Sequence, residues 1–204
     1  SAQSFSFKEG LQPLIDALAR SLGDKIHTGT PLRVLQKAPE GFVLELAGQE
    51  ETVRARAVVL TIPAHGYEQL ELGFDCAAAR QALAQIYYPP VAVVFCGYRR
   101  NPLDHPLEGF GFLVPRRENR QILGALWNSS LFSGRAPEGG LALTVFVGGS
   151  RQPEHALWPE DKLLGVVADE LRELLGLRER PDHQALFRWP RAIPQYQVGH
   201  QQLI

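Results

Sequence analysis

Methionine is absent from all 204 residues. With no initiator in it, the sequence is expected to be an excised piece of something longer. Cysteine is nearly absent too: Cys76 and Cys96 stand in no metal or redox spacing. They are expected to be free buried thiols in a reducing, cytoplasmic compartment. No apolar run approaches the roughly 20 residues that span a bilayer, and no signal-peptide pattern opens the chain. The formal net charge is only -1 and no long basic run occurs, which excludes a phosphate-binding nucleic-acid surface. The histidines at 27, 65, 105, 155, 183 and 200 are scattered, with none four residues from another, so no metal site is expected. The nucleophile elbow, the zinc-protease helix and the Walker loop are all missing. Gly109-Phe110-Gly111 fails as a dinucleotide loop, because Val114 stands where a third glycine belongs and strands flank the segment on both sides. No catalytic acid or base emerges.

Apolar material, by contrast, is abundant at 45% of the chain, enough for a sizeable core. The organising stretch runs from Pro90 to Gly149: PVAVVFCGYRR, GFGFLVP, QILGALWNSSLF and LALTVFVGG. Four apolar runs of strand length, separated by Pro-, Arg- and Gly-rich breaks, predict an antiparallel sheet. Val91 to Cys96 is apolar without alternation and is expected to be buried on both faces. Leu141, Leu143, Val145 and Val147 share one face of their strand, with Ala142, Thr144 and Phe146 on the other.

Upstream, Leu11, Leu14, Ile15, Leu18 and Leu22 recur at helical spacing and predict an amphipathic helix over 10–22, stopped by Gly23. Strands are expected over 31–36, 41–46 and 57–62, the last fully buried. Asp75 is the expected N-cap of a helix reaching Ile86. A second strong helix spans 159–175, with acidic residues in its first turn and Gly176 at its end. The tail FRWPRAIPQYQVGHQQLI carries two prolines and is expected to be an irregular, ordered connection. The fold class is therefore α+β, a mixed α/β arrangement in which helices flank an antiparallel or mixed sheet.

The order of the segments is more specific than any one of them. GLQPLIDALARSLG, VVLTIPA, YPPVAVVFCGYRR, GFGFLVP, ILGALWNSSLF, FVGGSR and RWPRAIPQYQVGH together resemble the middle of the oxygen-dependent protoporphyrinogen oxidases. These are flavin enzymes of the amine-oxidase superfamily. The resemblance implies that residues 1–64 contribute a helix and a β-meander to an FAD-binding domain. Residues 65–204 would then form the substrate-binding domain and its return toward the flavin. It implies FAD as cofactor, a porphyrinogen as substrate and molecular oxygen as acceptor, in a six-electron oxidation that this chain alone would not catalyse.

By the family's pattern Phe110 and Leu113 would sandwich the tetrapyrrole, Gly111 would let the backbone approach, and Leu126 and Phe146 would add wall. In a regular strand residues 110 and 113 face opposite ways, so both touch one ligand only through an irregularity. Leu32 and Trp189 would lie against the cofactor. Arg116, Arg117 and Arg191 are weaker candidates for anchoring substrate carboxylates. The resemblance leaves room for peripheral membrane association and for a homodimer formed over apolar surface that the excision exposes. Its alternatives are a coproporphyrinogen oxidase, an amine oxidase or desaturase on the same scaffold, and a flavin-free tetrapyrrole-binding module.

Overall fold

The computed structural model describes residues 5–104 and 106–203, so His105 lies outside the described residues. In chain order the elements begin with α1 (Gln12–Leu22), β1 (Leu32–Ala38), β2 (Gly41–Leu46), β3 (Val53–Ala55), β4 (Glu71–Leu72) and α2 (Ala77–Ala84). They continue with β5 (Val91–Tyr98), β6 (Gly111–Leu113), β7 (Gly124–Trp127), α3 (Asn128–Leu131) and β8 (Leu141–Gly148). The last are α4 (Glu160–Leu175), β9 (His183–Trp189) and α5 (His200–Leu203). The chain divides into two compact units.

One unit holds Leu14–Tyr87 and the described residues from Pro194 onward. Its four-stranded sheet has the order β3-β2-β1-β4. The first three strands form an antiparallel meander, while β4 joins β1 in parallel through Val34↔Glu71 and Leu35↔Leu72. Val34 and Leu35 are both about 3% exposed, so both faces of β1 are covered there. A register shift falls between Leu32 and Val34. Asp75 accepts a hydrogen bond from the Ala77 N–H at 3.3 Å, close to the expected capping role, and α2 is shorter than expected, ending at Ala84. The Arg80 guanidinium donates to the carbonyls of Tyr67 (3.1 Å) and Leu70, fixing α2 to the 3-10 turn Ala64–Gln69. A bridge between Tyr87 and Gln195 brings the tail back into this unit.

Two apolar segments here are left bare. The helix expected over 10–22 forms as α1, yet none of its residues is buried. The strand expected over 57–62 does not form: Val59 is 83% exposed, and the third strand of the meander is Val53–Ala55 instead. An extended backbone becomes a strand only when a neighbour accepts from its N–H groups and donates to its C=O groups. No described strand lies beside 57–62.

The other unit comprises Tyr88–Ile193 with the described residues of the first turn of chain before Leu14. Its five strands run in the order β6-β7-β8-β5-β9, antiparallel throughout. The core lies on one face only. Ala92, Val94, Cys96 and Tyr98 from β5, Ala125 from β7, and Leu143, Val145 and Val147 from β8 pack with Leu163, Val167 and Leu171 of α4. The apolar stripe of α4 is thus spent as its spacing predicts, and Gly176 ends the helix at φ +77°.

Two expectations need correcting in this unit. Val91 to Cys96 is not buried on both faces: Ala92, Val94 and Cys96 are buried, while Val91, Val93 and Phe95 are only half-buried. The tail is not wholly irregular either, because His183–Trp189 forms β9 along the outer side of β5. With His183, Gln184 and Arg188 in it, that segment has too little apolar alternation to read as a strand; the ladder with β5 decides it.

Candidate functional site: the open face of the five-stranded sheet

Residues paired across an antiparallel ladder share a face. The pairings Leu113↔Gly124, Gly124↔Phe146, Phe146↔Val93 and Val93↔Phe187 therefore lay one apolar row across all five strands. The next row is Gly111, Leu126, Thr144, Phe95 and Ala185. On the other side of the first row, Gly148, Val91 and Trp189 align. This face is opposite the core, and large apolar groups on it stay open: Leu113 is 87% exposed, Phe187 56% and Trp189 58%. Adjacent rows stand about 7 Å apart and adjacent strands about 5 Å apart, so the face suits a broad, flat ligand.

Of the residues predicted for substrate, the structure brings Gly111, Leu113, Leu126 and Phe146 onto this one face. Phe110 immediately precedes β6 and is 60% exposed; its carbonyl accepts the Trp127 N–H at 2.9 Å. Gly111 follows at φ +138°, so the alternation that would send Phe110 and Leu113 to opposite faces is interrupted between them. A Cβ on Gly111 would come within 2.0 Å of the Ala125 carbonyl oxygen, so glycine is required for β6 and β7 to pair as they do. Trp189 lies at the end of β9 on the same open face, while Leu32 opens β1 in the other unit, half-buried and paired with Leu46. Val93, Phe95 and Phe187 belong to the face but were not singled out from sequence. The available signal was Phe187's spacing of two from Trp189.

The hairpin that carries Gly111 and Leu113 is held from its outer end. Arg151 donates to the carbonyls of Val114 (2.8 Å) and Ile122 (3.3 Å). Glu170, a buried carboxylate on α4, accepts the Gln121 N–H at 2.9 Å, and Arg120 pairs with Glu173 while lying 3.7 Å from Glu170. Removing Glu170 would take away the side chain that accepts the Gln121 N–H and would loosen the hairpin's outer end. Arg116 and Arg117 are exposed in the turn between these anchors, Arg117 lying 3.4 Å from Glu118.

Burial pushes the Cys96 thiol up to about 11, with a Gln184 contact pulling weakly the other way. Burial raises Tyr98 as well, helped by Cys96 and Glu179. Both are core groups kept neutral, and neither is poised as a nucleophile at neutral pH. Cys76 is also unpaired in any disulfide. Among the described residues no three His, Cys, Asp or Glu side chains stand together as metal ligands, and no helix is long and apolar enough to cross a membrane. The open face can bind and orient an apolar plane; it carries no acid–base pair of its own.

Comparison with known proteins bears on the family and the fold. The profile of the family described as flavin containing amine oxidoreductase matches residues 2–204. The chloroplastic protoporphyrinogen oxidase of Nicotiana tabacum is 34% identical over 206 residues, covering 96% of this chain and 37% of that protein. A more distant relative, the coproporphyrinogen III oxidase of Bacillus subtilis (strain 168), is 26% identical over 196 residues, covering 96% of this chain and 41% of that protein. Among solved structures, one from Exiguobacterium sp. 255-15, provisionally described as a protoporphyrinogen oxidase, superposes with a TM-score of 0.78 at 25% identity. It covers 97% of this chain and 42% of that one. The chain thus spans about two fifths of the length of the proteins it matches.

Proposed function

This chain belongs to the family of flavin containing amine oxidoreductases, and on that premise we propose that it is the substrate-binding part of an FAD-dependent protoporphyrinogen oxidase. The observation that carries the reading is the open face. Leu113, Leu126, Phe146, Phe187 and Trp189 form an apolar surface that the core does not need. A porphyrinogen is a broad apolar macrocycle fringed with carboxylates, and such a ligand asks for apolar walls with few polar groups. At about 25 cal/mol per Å² of apolar surface covered, a ligand of that breadth gains several kcal/mol from this face.

Within the proposal the residues have distinct tasks. Leu113, Leu126 and Phe146 form the wall, and Phe110 closes on the macrocycle from the strand end. Gly111 lets the ring approach the backbone. The anchors Arg151 and Glu170 keep the hairpin in place, and the wall excludes water from the carbon that is oxidised. The domain division expected from sequence belongs to the same proposal: 1–64 to the flavin domain and 65–204 to the substrate domain.

The residues present fit a flavin only in part. Trp189 offers an exposed aromatic surface for a ring system, and Leu32 lies at a strand opening of the kind expected near the adenine end. No glycine-rich strand-to-helix turn for a pyrophosphate occurs among the described residues. When bound, FAD would supply the hydride-accepting chemistry, with molecular oxygen as final acceptor. Peripheral membrane association, self-association through α1 and a cytoplasmic location are further parts of the proposal; the plant relative is named chloroplastic.

The test is an oxygen-consumption assay on the protein from the whole reading frame that encodes this chain. Protoporphyrinogen and coproporphyrinogen are supplied separately. Flavin-dependent uptake with protoporphyrinogen is the expected result, and uptake with neither overturns the reading. Turnover of coproporphyrinogen alone would select the second reading, which the Bacillus subtilis relative supports.

A further inference from the structure

The open apolar face does not end at Phe95. Its next row is Ala142, Gly97 and His183, paired across β8, β5 and β9. Over this row stands a cavity of about 360 Å³, lined by Phe95, Gly97 and His183 from the face and by Arg99, Arg135 and Asp182 at its rim. Its charges are unbalanced, with two guanidinium groups against one carboxylate. That carboxylate is already engaged, since Asp182 Oδ2 accepts the Arg99 N–H at 2.7 Å. Arg135 donates through Nη2 to Ser6 Oγ (2.7 Å) and the Phe7 carbonyl (2.9 Å), which holds it beside the cavity. For the Arg99 side chain no hydrogen bond or ion pair is found among the described residues.

We infer that this cavity is a carboxylate site, and that Arg99, supported by Arg135, takes an acidic side arm of a ligand whose apolar body lies on the open face. The inference rests on the reading of that face as a macrocycle site and adds a polar end to it. Three observations meet here. The cavity is continuous with the face through Phe95 and Gly97. Gly97 has no side chain to fill the floor; a Cβ there would lie 3.2 Å from the Phe95 ring. Finally, Val93 and Gly97 are four residues apart, about 14 Å along an extended strand, so a broad ligand centred on the Phe146 row can place a peripheral arm in the cavity. A guanidinium meets a carboxylate in two parallel hydrogen bonds, which selects that group over its ester.

The experiment is equilibrium binding of protoporphyrin and of its dimethyl ester to the protein from the whole reading frame, followed by porphyrin fluorescence. The unaltered protein should prefer the free acid. Arg99→Gln should reduce that preference about tenfold, the value of one charged hydrogen-bonded contact, while Arg99→Lys should keep part of it. Ester binding should be the same in all three, which shows the apolar face intact. An acid-to-ester ratio unchanged in Arg99→Gln overturns the inference. Because the readout is binding and not turnover, the outcomes separate: acid preference lost with Arg99→Gln in a protein that oxidises no porphyrinogen would keep the carboxylate site and remove the oxidase reading.

Discussion

The two faces of the five-stranded sheet use the same strands and end differently. In β5 the even residues Ala92, Val94 and Cys96 are fully buried, whereas the odd residues Val91, Val93 and Phe95 are only half-covered. The same holds in β8, where Leu143, Val145 and Val147 are sealed and Thr144 and Phe146 are not. One face is matched to α4, residue by residue. The other is nearly as apolar and stays largely open, apart from the end at Ala142, which is buried beside the Arg135–Pro137 segment. An antiparallel sheet with a solvated face ordinarily alternates apolar with polar. Apolar residues on both sides, with only one side packed, leave the second free for the ligand of the proposed function.

The contrast can be broken most forcefully from the packed side. Leu163→Ala removes a fully buried side chain of α4 and should cost about 2–5 kcal/mol in denaturant unfolding. A loss under about 1 kcal/mol would show that this face is not the core. Next comes Gly111→Ala, which places a Cβ against the Ala125 carbonyl at φ +138°. It should destabilise by about 1–3 kcal/mol and raise KM for the macrocycle. Phe187→Ala, on the open face, should shift the unfolding free energy by less than about 1 kcal/mol while weakening porphyrin binding several-fold.

A further effect, confined to alkaline conditions, is one of pH. Cys96 is raised by burial from 9.0 to about 11. The native protein holds that proton where the unfolded chain has lost it, so its contribution is complete below about pH 9 and disappears as pH climbs toward 11. Tyr98, raised in the same direction, adds to the decline at the alkaline end. Thermal midpoints measured between pH 8 and pH 11 should therefore fall less in Cys96→Ala than in the unaltered chain.

Much of this was readable from sequence where local pattern and packing agree. The helices at α1 and α4, the meander of β1 and β2, and the strands β5 to β8 all follow from spacing and stop signals. Three failures have a common cause: each depended on a neighbour that a local pattern does not name. The segment 57–62 has strand composition but no partner among the described strands. β9 has poor strand composition but gains a full ladder from β5. For Val91 to Cys96 burial on both faces is the wrong expectation, because pattern cannot distinguish a second core face from an apolar face left open. Leu113, Leu126 and Phe146 were named only through resemblance. Register then placed them on one face, and added Val93, Phe95 and Phe187 to it.

Leu113 tests the central claim most directly, since at 87% exposure almost nothing within this chain contacts it. In the protein from the whole reading frame, Leu113→Ser should be compared with the unaltered form for thermal midpoint and for kcat/KM on protoporphyrinogen, the proposed substrate. The account predicts a midpoint changed by less than a few degrees and a kcat/KM lowered about tenfold, the loss expected for one apolar contact of roughly 1.5 kcal/mol. An unchanged kcat/KM would contradict it, because the open face would then carry no substrate.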